Sequence, residues 1–265
     1  MAEQLITSRD NGRLMAARRV RDGRDRFRIF IEGRRLADEA LRSGLKITEC
    51  FLSEEFDDAE LVASLNAPTF RMPAKVFKTV ADTDTPQGII LTAERPAGSS
   101  KGPGSLPITI FLTEVNNPSN LGAICRTAEA AGVRNIILSK GSADPYSPKA
   151  LRASMGSAFR LGILEGATLG DAISVAHGQG SVVTGASLNA KTSYIDVDWS
   201  RPRLVVFGSE AHGLRDDESS LLDETIRIPM SPDVESLNLA VSAGIILFEA
   251  RRQLTIGGKV GEVWG

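Results

Sequence analysis

The sequence predicts an α/β protein of two domains, a small N-terminal α/β domain followed by a larger one built on a mostly parallel sheet. Three observations carry this expectation. Short apolar runs of strand length alternate with helical periodicity along most of the chain. The stretch from Glu94 to Pro107, with Pro96, Gly98, Ser99, Ser100, Gly102, Pro103 and Gly104, cannot sustain a helix or a central strand and reads as an interdomain connection. Beyond it, apolar runs and helical segments follow one another in the order that a parallel sheet with covering helices requires. The domains are therefore placed at residues 1–96 and 108–265, joined by a linker over 97–107.

The elements follow in chain order. In the first domain, strands are expected at Phe30-Ile31, Ile47 to Leu52 and Gly88 to Thr92, with helices beginning near Gly33, Asp57 and Pro73. In the second, strands are expected at Ile108 to Leu112, Asn135 to Leu138, Val182 to Thr184 and Leu204 to Phe207. The longest apolar-looking run, Leu239 to Phe248, falls short of the roughly 20 residues a membrane-spanning helix needs, so no span is expected. The glycines Gly178 and Gly180 precede a strand instead of following one, which argues against a dinucleotide-type fold.

Composition narrows the function classes. With 42% hydrophobic and 24% charged residues and a mean hydropathy of -0.06, the chain is an ordinary soluble protein in composition. Cys50 and Cys125 lie far apart and no apolar leader opens the chain, which points to the reducing cytoplasm and to no structural disulfide. Two histidines and no Cys-x-x-Cys pair cannot assemble an ordinary zinc site, so a metal-free mechanism is expected. The net charge of -2 hides a local asymmetry: residues 1–35 hold ten arginines against five acidic residues, an excess of five positive charges. Forked guanidinium groups bind phosphate bidentately and stack on bases.

Three clusters in the second domain carry candidate chemistry. Asn116 to Thr127 follows a strand and opens a helix; Asn120 is suited to cap it, Leu121, Ile124, Cys125 and Ala128 form its apolar stripe, and Arg126 points off that stripe. Leu204 to Leu214 is a buried strand running into a loop with Gly208, Glu210, His212 and Gly213, where glycine lets backbone approach a ligand closely. Ile226-Arg227-Ile228-Pro229-Met230 leads to Glu235-Ser236-Leu237-Asn238 and a helix with Leu237, Val241, Ile245 and Phe248 on one face. Ser236 and Asn238 are expected in its first turn, where unpaired amides can hold a polar ligand.

Taken together, in this order and spacing, the clusters resemble the SpoU branch of the SPOUT methyltransferase superfamily. The resemblance runs from about Ile108 to Gln253 and includes Asp144-Pro145-Tyr146-Ser147-Pro148-Lys149 and Arg152-Ala153-Ser154-Met155-Gly156-Ser157. Phe30 to Leu41 is similar to the substrate-binding domain often fused ahead of that catalytic domain, which itself resembles ribosomal RNA-binding proteins.

The resemblance implies a C-terminal sheet threaded into a trefoil knot, a homodimer, S-adenosylmethionine (SAM) as cofactor, and methyl transfer to a ribose 2′-hydroxyl of RNA, with 23S-type ribosomal RNA as the leading substrate. It implies cofactor contacts at Gly208, Ile228 and Leu237 with Ala186, Ser187 and Leu188 beside them, and catalytic positions at Arg126, Asn120, Glu210, Ser236 and Asn238. Because guanidinium is not readily deprotonated, Arg126 is read as a clamp on the target phosphate rather than a base. Ala211 and His212 depart from the glycine and small or acidic residues of the family's middle loop. Arg9, Arg13, Arg18, Arg19, Arg34 and Arg35 are the expected RNA contacts. Transfer RNA as substrate, protection against a ribosome-targeting antibiotic, and a catalytically silent RNA-binding dimer serving ribosome assembly are the alternatives.

Overall fold

A computed structural model describes residues 4–102 and 104–256; Glu3 of the arginine-rich stretch, Pro103 of the linker and residues 257–265 of the second domain lie outside the described residues. The chain forms two compact units: Met1–Ala97 with Asp144–Phe159, and Gly98–Ala143 with Arg160–Gly265.

The first unit contains β1 (Gln4–Leu5), α1 (Gly12–Arg21), β2 (Arg28–Glu32), α2 (Arg34–Arg42), β3 (Ile47–Ser53), α3 (Ala59–Ser64), β4 (Thr69–Met72), α4 (Ala74–Lys78) and β5 (Ile89–Glu94). Its sheet runs β1-β4-β3-β5-β2, parallel from β1 to β3 and antiparallel at β5. Asn11 caps α1 by accepting from the Arg13 amide, and the helix then turns Leu14, Ala17 and Val20 inward at helical spacing. They meet Phe30, Phe51, Phe70, Phe77 and Ile90 in one core.

The second unit contains β6 (Ile108–Leu112), α5 (Pro118–Ala131), β7 (Asn135–Ser139), β8 (Gly162–Ala167), α8 (Leu169–Gly178), β9 (Val182–Ala186), β10 (Thr192–Ser193), β11 (Arg203–Phe207), α9 (Asp216–Ser219), β12 (Glu224–Arg227) and α10 (Leu239–Ile256). Between β7 and β8 come α6 (Pro148–Ser154), within the first unit, and α7 (Ser157–Arg160). Every strand pair in the seven-stranded sheet, ordered β10-β12-β9-β11-β6-β7-β8, is parallel. On one face, Phe111, Val183, Leu204 and Val206 pack against Ala172, Ile173 and Ala176 of α8. Their strand neighbours Ile110, Leu112, Val205 and Phe207 point the other way and are equally buried, so both faces are covered.

Two local expectations are corrected. The cap of α5 is Asn117, whose side chain accepts from the Ser119 amide, and not Asn120; Pro118 fills the first helical position, where its missing N–H costs nothing. On α10 the buried residues are Ala243, Ile246, Leu247, Ala250 and Leu254, whereas Val241 and Phe248 of the expected apolar face are 49% and 42% exposed. The helix also starts later, with Asn238 ahead of it accepting from the Ala240 amide at 2.9 Å, and Ser236 in the preceding loop.

Asp223, just before β12, ties two strands together: its carboxylate accepts from the Val183 amide at 2.8 Å and lies 3.1 Å from His177 Nε2. The Val183 amide lowers its pKa most, burial opposes, and His177 lowers it further, leaving the carboxyl below the usual range. Because the folded pKa lies under the unfolded value, the stabilisation is present above the unfolded-state pKa, about 3.9, and is lost as pH falls through the folded one. With the side chain 43% exposed, solvent screening limits this to no more than about 1 kcal/mol. The urea midpoint should therefore fall more steeply below about pH 5 in the wild type than in Asp223→Asn; parallel curves would remove Asp223 from acid sensitivity.

Candidate functional site

A cavity of about 580 Å³ opens in the second unit, within the range of small-molecule sites. It is lined where β9 ends (Ala186, Ser187, Leu188), where β11 ends (Phe207 to Gly213), where β12 ends (Ile226, Arg227, Ile228, Met230), and by Glu235 to Asn238 ahead of α10 with Leu239 at its start. Ligands of parallel α/β sheets bind outside the carboxyl ends of the strands, and all three strands present that end here.

The loop after β11 is folded back on itself: the amides of Ser209 and Gly213 each donate to the other's carbonyl, at 3.0 and 2.9 Å. Gly208 sits under this return. A Cβ at Gly208 would overlap the carbonyl of Gly213 and the amide nitrogen of Leu214, backbone atoms that cannot rotate away. Gly213 has φ 66°, which glycine adopts without penalty. The Ser187 amide donates to the Ile226 carbonyl at 2.9 Å, pinning the loop after β9 to the strand beside it.

A polar chain joins the three sequence clusters. Asn120 Nδ2 donates to Glu210 Oε1, the Asn117 amide donates to Glu210 Oε2 at 3.3 Å, and Asn238 Nδ2 donates to Asn120 Oδ1 at 3.1 Å. Asn120 thus uses both ends of its amide to hold Glu210 and Asn238, residues 90 positions further on and 118 positions further on in the chain. The lining includes Asn120, Glu210, Ser236 and Asn238 together with all six expected cofactor positions.

Arg126 is placed differently. It is exposed on α5, outside the cavity lining, and its side chain makes no hydrogen bond or ion pair among the described residues. Six residues along the helix from Asn120, at about 1.5 Å rise each, place it about 9 Å further along the axis. Next to it, Cys125 is fully buried, and burial pushes its thiol up to about 12, so it packs and does no chemistry.

The arginines of the first unit divide. Arg13 pairs with Glu49 at 2.6 Å and stacks over Phe70; Arg18 donates to Thr79 Oγ1 and to the Arg9 carbonyl; Arg34 pairs with Asp58 at 2.8 Å. Arg9 lies 3.9 Å from Asp10, and both side chains are largely exposed. Arg19 and Arg35 make no such bonds with their side chains among the described residues.

Several lining residues carried no separate signal in the sequence: Ser209, Arg227, Met230, Ser242 and Ile246. For Ser242 and Ile246 a clue was available in their i, i+4 spacing, which puts both on one side of α10.

Comparison with known proteins shows the family and fold. A family model described as the SpoU rRNA Methylase family matches residues 107–248, and one described as the MRM3-like substrate binding domain matches residues 12–91. An uncharacterized tRNA/rRNA methyltransferase of Synechocystis sp. is 31% identical over 256 residues, covering 94% of this chain and 93% of that protein. The Bacillus subtilis 23S rRNA (guanosine(2553)-2'-O)-methyltransferase RlmP is 28% identical, covering 84% of this chain and 88% of its own. A crystal structure of an AdoMet-bound rRNA methyltransferase from Sinorhizobium meliloti matches with a TM-score of 0.83 at 30% identity, over 95% of this chain and 98% of that one.

Proposed function

Given that the chain belongs to the SpoU rRNA methylase family, we propose that it transfers a methyl group from SAM to a ribose 2′-hydroxyl of ribosomal RNA. One observation carries the reading: the loops after β9, β11 and β12 close around a cavity of about 580 Å³ under which only glycine fits at position 208. Backbone groups and apolar side chains dominate the loops at Ala186 to Leu188, Ile228 and Leu237, a surface suited to an adenine ring read by main-chain donors and acceptors. When bound there, SAM would supply a methyl group on a sulfonium, passed to the aligned ribose 2′-oxygen as that hydroxyl loses its proton to solvent and the neutral thioether is released.

The chain's own residues then have distinct tasks. Asn120 fixes Glu210 and Asn238 so that the polar wall of the cavity keeps one geometry, which orients the target ribose. Arg126, unpaired and exposed, holds the phosphate next to that ribose and stabilises the developing alkoxide. Arg9, Arg19 and Arg35 remain as RNA contacts, while Arg13 and Arg18 act mainly by holding α1 in place and Arg34 is engaged by Asp58. The matching substrate-binding family model and the 23S rRNA activity of the Bacillus relative favour ribosomal over transfer RNA.

Strand order supports the knot: the chain leaves β11 beside β6 and reaches β12 on the far side of β9, so this return is the place to thread it. The homodimer is supported by Val241 and Phe248, seven residues apart on one exposed face of α10, which a two-fold partner would cover. Among the described residues no helix is long and apolar enough to cross a membrane, and we place the enzyme in the cytoplasm with the ribosome.

Two measurements test the reading. Titration calorimetry should give saturable SAM binding, and mapping of methylated riboses in total RNA from cells with and without the gene should show one site lost from ribosomal RNA. Absence of cofactor binding at millimolar SAM would favour the silent RNA-binding dimer; a lost site in transfer RNA would replace the substrate.

A further inference from the structure

Phe27 is the most exposed large apolar residue among those described, at 87% of its surface. It closes the turn between α1 and β2, and its position is not that of a loose loop. Its amide donates to Asp25 Oδ1 at 2.9 Å, and its carbonyl accepts from the Arg95 amide at 2.8 Å. Asp25 is fixed in turn by the Arg28 amide at 3.2 Å and Arg28 Nε at 3.0 Å. Burial works against the charged Asp25 carboxylate, but the Phe27 amide and Arg28 outweigh it and hold the carboxyl below its usual range. The backbone is thus clamped on both sides while the ring stands in water.

The cations beside it are equally unspent. Arg24 and Arg26 are exposed and their side chains make no hydrogen bond or ion pair among the described residues; the Arg24 amide donates to the Arg19 carbonyl at 2.8 Å, which brings the free Arg19 end of α1 close by. Their neighbours differ: Arg21 donates to the carbonyls of Val80 and Ala81, and Arg28 is held by Asp25. A solvent-facing ring preceded in the chain by two free guanidinium groups matches a ligand with an exposed aromatic face and negative charges close to it.

We infer that residues 24–27 are a landing for an unpaired RNA base, the Phe27 ring stacking on its face while Arg24 and Arg26 meet the flanking phosphates. This rests on the reading of the chain as an RNA methyltransferase and adds to it a contact outside the cavity. Stacking of this kind is open to single-stranded segments and closed to bases inside a duplex, so the site selects an unpaired nucleotide without reading its sequence.

Fluorescence anisotropy of the full chain with a twelve-nucleotide oligouridylate and with a blunt RNA duplex of equal length tests this. Phe27→Ala should weaken single-strand binding roughly ten-fold, with duplex affinity and the salt slope unchanged, and Phe27→Trp should restore it. Arg24→Gln with Arg26→Gln should instead flatten the dependence of log K on log salt by about 1.4, two phosphate contacts at about 0.7 each for a single strand. Equal oligouridylate affinity in wild type and Phe27→Ala, or an equal loss on the duplex, would overturn the inference and turn attention to a protein contact at this ring. Calorimetry with SAM on the same samples separates the levels: intact cofactor binding with an indifferent Phe27 sinks only the landing site, whereas a wild type that binds neither SAM nor RNA sinks the parent reading with it.

Discussion

Replacing Arg126 by Ala should reduce methyl transfer by about 100- to 1,000-fold while leaving the SAM dissociation constant within about two-fold of wild type. The expectation follows from position. Arg126 lies outside the cavity lining, so nothing that holds the cofactor is removed, and its exposed side chain makes no bond whose loss would loosen α5. What disappears is an unpaired cation that can face the target phosphate and the charge developing on the ribose oxygen. Single-turnover kinetics with saturating RNA, paired with calorimetry, reads both quantities. Arg126→Lys should recover little, because an ammonium cannot reproduce the planar fork that grips phosphate in two places. Unchanged turnover in Arg126→Ala would refute the clamp.

Gly208→Ala should do the opposite, abolishing cofactor binding and destabilising the second unit. The added methyl would sit inside contact distance of the Gly213 carbonyl and the Leu214 amide, and neither belongs to a side chain that could swing aside. Overpacking typically costs about 1 to 3 kcal/mol. With backbone as the obstacle the upper end is expected, together with a loss of SAM affinity of more than about 100-fold as the loop is pushed out of shape. Gly213→Ala is the control: nothing lies within 4 Å of its Cβ position, so it carries only the strain of φ 66°, about 1 kcal/mol. Urea midpoints and calorimetry on both variants check this, and equal effects would mean that the close approach at Gly208 is not what shapes the cavity.

The element sequence was legible in the chain. Strands such as Ile108–Leu112 and Leu204–Phe207 announce themselves as apolar runs because a parallel strand is buried on both faces. The lining of the cavity was legible only through the resemblance, since Asn120, Glu210 and Asn238 taken one by one read as caps or loop residues. Composition and spacing alone also misread Asn120 as the cap of α5, because they count the helical phase but not that Pro118 moves the start of the helix back to Asn117.

By itself the sequence determined that an α/β chain with a separate arginine-rich N-terminal domain would form, since periodicity, turn residues and charge are local properties. Only the tertiary structure decided which side of α10 faces inward, because Val241 and Phe248 are as apolar as Ile246 and Leu247 and the choice depends on packing against the rest of the unit. It alone decided which arginines are consumed by Glu49, Thr79 and Asp58 and which stay free, since a guanidinium's partner lies up to 61 residues away. And it alone brought Asn120, Glu210 and Asn238 onto one hydrogen-bonded chain, because the order in which parallel strands lie side by side is set by how buried faces fit and not by any local stretch of residues.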